Sequence, residues 1–239
     1  PVAVNTVTNK FYVACFKGGI GTVIDGTNNA TTTVPIGGDS LATAVNPITN
    51  KVYVVNRLTN NVTVIDGTNK STTTVAVGSG PRFVAINPVT NKIYVTNTSS
   101  DNVTVIDGTN NSILTISSGP VGSNPQAVAV NPVTNKIYVC NVSGLAKVSV
   151  IDGVTNATVT IADPSGSGPS AVGVNPVTNK IYVANGQSNN VTVIDGTNHS
   201  IVSVAVGANP QAVAVNSITN KIYIGNAGGS SVTVIDGTN

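Results

Sequence analysis

A unit of 41 to 44 residues recurs six times along this 239-residue chain, and nothing else about the sequence limits its fold so tightly. A Val-Asn or Ile-Asn pair marks each copy, at Asn5, Asn46, Asn87, Asn131, Asn175 and Asn216. Thr-Asn-Lys follows, ending at Lys10, Lys51, Lys92, Lys136, Lys180 and Lys221. A tyrosine stands two residues after each lysine, and Tyr12, Tyr53, Tyr94, Tyr138, Tyr182 and Tyr223 are all the tyrosines of the chain. Ile-Asp-Gly closes the shared part, with Asp25, Asp66, Asp107, Asp152, Asp195 and Asp236. The copies run approximately 1–41, 42–82, 83–126, 127–170, 171–211 and 212–239, with no linker between them, so the chain reads as one domain.

The third copy shows what one unit builds. Residues 83–87, 92–97, 102–107 and 112–117 alternate apolar and polar side chains with the period of two that a strand face requires. Pro88 and the Asp107-Gly108 pair fall between them, where their backbone preferences suit turns. Charged residues are 8% of the chain and every acid is Asp, a composition poor in surface helix formers. Four short antiparallel strands per repeat cannot bury a core alone, so the sheets must stack. The predicted fold is all-β: a six-bladed β-propeller of four-stranded antiparallel blades, each sheet buried between its neighbours. The last copy ends after its third strand and so lacks its outer one. Its open edge is a template for another strand, supplied by further repeats of a longer parent or by a neighbouring chain in self-assembly. Pro1 in place of an initiating Met marks a processed or trimmed chain.

Tyr94-Val95-Thr96-Asn97, within the wider Asn-Pro-Val-Thr-Asn-Lys-Ile-Tyr-Val-x-Asn pattern, is similar to the YVTN family of β-propeller repeats. The resemblance spans all six copies. It departs at Cys15, which replaces the Asn of the motif, and at Ile224 and Gly225 in the last copy. It implies a propeller of the surface-layer or secreted type, with lactonases and lyases in a wider circle, and often seven blades where this chain supplies six.

Within a repeat, a small residue recurs in the first strand at Ala3, Ala44, Ala85, Ala129, Gly173 and Ala214, as a crowded inner position demands. The tyrosines read as wedges between blades, each hydroxyl reaching a polar partner. Thr-Asn-Lys and Asp-Gly-Thr-Asn are turns at one end of each sheet, with Asp and Asn accepting backbone N–H groups and Gly taking positive φ. One carboxylate per turn, with no Glu in the chain, argues for turn chemistry over calcium.

The opposite end is where the copies differ. It collects Phe16 to Gly19, Arg57 to Thr59, Ser99 to Asp101, Gly144 to Lys147, Gly186 to Ser188 and Gly228 to Ser230, together with the blade crossings. Outside the repeated Lys and Asp, every charge except Lys70 lies here, so this end is the expected interaction surface. Arg82 enters a first strand at the expected channel mouth, where a guanidinium could fork onto a carboxylate, sulfate or sugar acid. Leu41, Gln126, Ser170 and Gln211 occupy the same place in other repeats. The candidate binding residues are Arg82, Gln126, Gln211, Lys17, Arg57, Asp101 and Lys147.

His199 is the only histidine and sits in a turn without Cys or Glu nearby, which supports neither a metal cluster nor a triad. The chain is therefore expected to be no enzyme and to need no metal or cofactor. Cys15 and Cys140 read as two half-buried free thiols rather than a disulfide. Asn-x-Ser/Thr at Asn29, Asn61, Asn69, Asn97, Asn102, Asn110, Asn141, Asn156, Asn190 and Asn198 supplies acceptor sites in a glycosylating host. A net charge of +2 gives no nucleic-acid footprint, and no apolar run is long enough to span a membrane. The expected function is an extracellular or cell-surface structural and interaction module, its partner a protein or glycan at the variable end; the alternatives are a lectin-like or small-ligand site at the channel mouth and, third in order, a lactonase- or lyase-like enzyme.

Overall fold

The computed structural model of the protein describes residues 1–117, 123–142 and 146–238. Those residues form 23 strands in six antiparallel sheets, one per repeat, and no helix. In the third repeat the strands are Pro81–Asn87, Lys92–Asn97, Asn102–Asp107 and Ile113–Ser117. Five sheets have four strands in sequential order. The sixth has three, Pro210–Asn216, Lys221–Asn226 and Ser231–Asp236. The first strands of the second to sixth blades begin two residues earlier than the sequence pattern suggests, a difference that matters at the candidate site.

The chain packs as two compact units, Pro1–Ser117 with the first three blades and Ser118–Asn239 with the last three. Within each unit the blades join by one repeated rule. A forward face offers the second-strand tyrosine and third-strand valines, and the next blade's back face answers with aliphatics. In the first unit Tyr12 and Val23 pack on Val52, Val54 and Ile65, and Tyr53, Val62 and Val64 pack on Ile93, Val95 and Ile106. In the second, Tyr138, Val148 and Val150 meet Ile181, Val183 and Ile194, and Tyr182 and Val191 meet Ile222 and Ile224. The small first-strand residue belongs to this contact. A methyl at Gly173 would come within 2.7 Å of Val213 in the following blade.

Polar groups reinforce the rule. The Oδ1 of Asn46 accepts the amides of Ile48 and Thr49, shaping the turn, while its Nδ2 donates to Oδ1 of Asn91 in the next blade at 2.8 Å. Asn5 to Asn50, Asn131 to Asn179 and Asn175 to Asn220 repeat the bond at 2.8–2.9 Å. The receiving asparagine is left-handed, with φ between 51° and 54° in all six copies. Its side chain lies where a Cβ on the glycine of Asp-Gly would sit. Glycine is thus required there by close approach, and positive φ in the same turn falls on Asn29, Lys70, Asn111, Asn156 and His199, which corrects the expected role of that glycine.

Two further expectations change. Tyr12, Tyr53, Tyr138 and Tyr182 are at most 2% exposed, yet their hydroxyls bond to no protein group. The wedge position carries the ring among aliphatic side chains, and burial pushes Tyr53 and Tyr138 up to about 12. Both cysteines are free, but Cys15 is exposed whereas Cys140 is fully buried, its thiol pushed up to about 12 by desolvation.

Candidate functional site

The asparagine that ends Tyr-Val-x-Asn is structural. Asn56 is fully buried, donates to Asn61 and Thr63 at 2.8 and 2.9 Å, and accepts from the Ser40 hydroxyl at 2.9 Å. Asn97 and Asn185 pin their hairpins in the same way. This holds the variable end rigid, so residues just beyond the asparagine project from a fixed platform.

Beside that platform the first strands of the second to sixth blades each carry a β-bulge. In the third blade Phe83 pairs with Thr96 and Pro81 with Asn97, leaving Arg82 as the extra residue. Leu41, Gln126, Ser170 and Gln211 are the extra residues of their own blades. A bulge frees a side chain from the strict in-and-out alternation and re-aims it. The position that varies between copies is therefore also the one the backbone sets apart.

The bulge residue meets the residue that follows the motif asparagine in the preceding blade. In the second unit a side chain at Gly186 would approach Nε2 of Gln211 to 2.8 Å, which defines the contact. In the first unit the same pair is Arg57 and Arg82. They line one cleft together with Leu41 and Phe83. The Arg82 guanidinium lies 5.9 Å from the Phe83 ring centre. Partial burial first, then the charge of Arg57, lowers its pKa from the ordinary arginine value. Neither guanidinium forms an ion pair among the described residues, where Lys10–Asp25, Lys136–Asp152 and Lys221–Asp236 are the three present. Two like charges facing one small cleft repel each other, and an anion between them would turn that repulsion into attraction.

The other candidates fall elsewhere. Gln126 and Gln211, in the second unit, are held by Asn124 and Asn209 at 2.7 and 2.6 Å. Ser170 ties the Ala184 and Pro210 carbonyls together and serves structure. Lys17 is exposed in the hairpin of the first blade, and Asp101 is an exposed left-handed turn residue with φ 50°. Lys147 lies within the strand Ala146–Asp152 rather than in a loop, because that strand extends to pair Lys147 with Ala162. Gly144 and Leu145 lie outside the described residues.

Asp163, one of the charges at the variable end, is only 4% exposed. It accepts the Ser165 amide at 2.8 Å, the Ser165 hydroxyl at 2.5 Å and the hydroxyl of Thr192 in the next blade. Burial pushes its pKa up, and these hydrogen bonds overcome that and hold it below the usual carboxylate value. It stands where other blades use a glycine against the same threonine, as Gly37 does with Thr63 and Gly207 with Thr233.

No protein-family model matches the chain, and no curated protein does. Solved structures do. The Kuenenia stuttgartiensis hydrazine synthase aligns with a TM-score of 0.85 and 22% identity over 98% of this chain and 75% of its own. A chain of the nidogen/laminin complex gives 0.71 and 14%, over 95% and 88%. The dihydro-heme d1 dehydrogenase NirN, in complex with DHE, gives 0.77 and 18%, over 96% of this chain and 52% of its own. The expectation that the chain is no enzyme is overturned as an inference, because a synthase and a dehydrogenase are among these neighbours. The shortage of His and Glu speaks only against acid–base chemistry by those side chains, and a scaffold can carry other chemistry. At these identities the likeness establishes one thing, that the chain is a propeller repeat protein with six blades.

Proposed function

We propose that the chain is an interaction module that captures a carboxylate-bearing partner at the Arg57–Arg82 cleft of its variable end. The observation that carries this reading is the doubled arginine. At a contact where the repeats elsewhere place neutral residues, two guanidiniums meet without an ion-pair partner among the described residues. Paired planar forks suit a carboxylate, with Leu41 and Phe83 supplying apolar surface for the group that bears it. Propellers serve both enzymes and interaction modules, and one neighbour of this fold comes from a protein–protein complex. The resemblance to YVTN repeats supports a setting at the cell surface or outside the cell.

Calorimetric titration with acidic peptides tests the reading. Arg57→Ala and Arg82→Ala should each weaken binding by about tenfold, or about 1.4 kcal/mol, and raised salt should weaken it further. Lys17→Ala, outside the cleft, should leave the affinity where it was. Equal binding by the two arginine variants and the unchanged protein would sink the proposal. A second reading is a small ligand, a sugar acid stacked on Phe83. A uronate array probed with the protein and with Arg82→Ala would reveal it.

A further inference from the structure

The surface around the Arg57–Arg82 cleft is apolar in a way the other repeats are not. Leu58 follows Arg57 at the tip of the same hairpin and is 75% exposed. The equivalent places in the other hairpins of equal length hold Lys17, Ser99, Gln187 and Gly228, so a large aliphatic side chain stands there only beside the two arginines. Its Cδ2 lies on the crossing that leads into the second blade, 3.5 Å from where a Cβ on Gly38 would sit. That crossing runs on to Leu41, which lines the cleft. Phe16 holds in the first blade the place that Arg57 holds in the second, so the rule that sets Arg57 against Arg82 sets Phe16 beside Leu41. Phe16 is 52% exposed. All these residues belong to the first compact unit.

A hairpin tip gives leucine no packing reason, since turns favour Gly, Asn, Asp and Ser and a side chain left in water gains little. Single exposed apolar residues are ordinary on a protein surface. Here three of them flank one cleft whose guanidiniums have no ion-pair partner among the described residues. The cleft is also small. It encloses about 220 Å³, below the roughly 300–1,000 Å³ of pockets that take in a whole small ligand. It therefore admits one acidic group, and the rest of the molecule that carries this group lies outside, over Leu58, Leu41 and Phe16.

Resting on the carboxylate reading above, we infer that the partner is a polypeptide segment with an acidic side chain in the cleft and a bulky aliphatic neighbour seated on Leu58. An extended segment meets both demands, because its residues i and i+2 point to one side about 7 Å apart. A sugar acid would instead turn hydroxyls toward Leu58 and Phe16, whose side chains offer them no hydrogen-bond partner.

Calorimetric titration with two peptides tests this. One carries a single Glu with Leu two residues away on each side, and the other carries Ser in place of both Leu. The leucine peptide should bind the intact chain about tenfold more tightly, as covering part of a leucine implies. Leu58→Ser changes a side chain already in water and should bring the leucine peptide down to near the affinity of the serine peptide. Phe16→Ser should lower it by a smaller factor. Ile48, 70% exposed in the turn at the opposite end of the same sheet, supplies the control for general stickiness, and Ile48→Ser should keep the leucine preference. Equal binding of the two peptides, both weakened by Arg82→Ala, would overturn the inference and leave the carboxylate reading standing. Binding of neither peptide would remove both. A leucine preference that survives Leu58→Ser, or that Ile48→Ser abolishes as well, would also overturn the inference. So would tighter binding of hexanoate or galacturonate than of the leucine peptide.

Discussion

At the scale of single residues, the repeat consensus and the chemistry of each position do not always coincide. Tyrosine looks chosen for its hydroxyl, yet in Tyr53 the ring fills space and the hydroxyl is buried without a protein partner. A buried polar group left unpaired costs about 1–3 kcal/mol, so its removal should carry no penalty. Tyr53→Phe is expected to hold or raise the unfolding free energy by about 1 kcal/mol, whereas a hydrogen-bonded hydroxyl would make the same change destabilising. Chemical denaturation of the two proteins decides between these. The sequence could not reveal this, because the partner a hydroxyl meets depends on which blade covers it. The Arg57–Arg82 pair was hidden for a related reason. Both residues stood out as departures from the repeat, but they lie 25 positions apart, and only the bulge at Arg82 and the platform at Asn56 bring them to one cleft.

At the scale of elements, the strands were legible almost to the residue, because apolar alternation and turn residues specify the same boundaries in every copy. The turns were legible in position and misassigned in mechanism. Asp-Gly suggested a glycine at positive φ, while the structure gives the left-handed backbone of that turn to Asn29, Lys70, Asn111, Asn156 and His199, and fills the space beside the glycine with the side chain of the left-handed asparagine of Thr-Asn-Lys. That arrangement makes a specific claim about coupling. Gly108→Ala should destabilise by about 1–3 kcal/mol through overpacking against Asn91. Asn91→Gly keeps the left-handed turn but removes the obstructing side chain and the acceptor for Asn46. In that background Gly108→Ala should cost markedly less. The double-mutant cycle measures the difference, and additive effects would show that the two positions do not share the space.

At the scale of the whole molecule, six copies of one turn make a property that no single copy could. Asp25, Asp66, Asp107, Asp152, Asp195 and Asp236 all have pKa values below the ordinary carboxylate value. The leading causes are hydrogen bonds: the Thr27 hydroxyl at Asp25, the amides of Thr68, Thr109 and Thr197 at Asp66, Asp107 and Asp195, and Lys136 and Lys221 at Asp152 and Asp236. The native state therefore binds these protons less readily than the unfolded chain, whose Asp titrates near about 3.9. Such groups contribute stability that is fully present above that value and is lost as pH falls through it toward the native values. Melting temperature should be flat from about pH 7 to about pH 5 and fall steeply below about pH 4. Asp107→Asn supplies the test, since an amide oxygen can still accept the Thr109 amide but cannot titrate. Its melting temperature should drop less on acidification than that of the unaltered protein, and the difference should persist at high salt, because an amide hydrogen bond is not screened as an exposed ion pair is. Identical acid profiles for the two proteins would mean that acid acts elsewhere in the molecule.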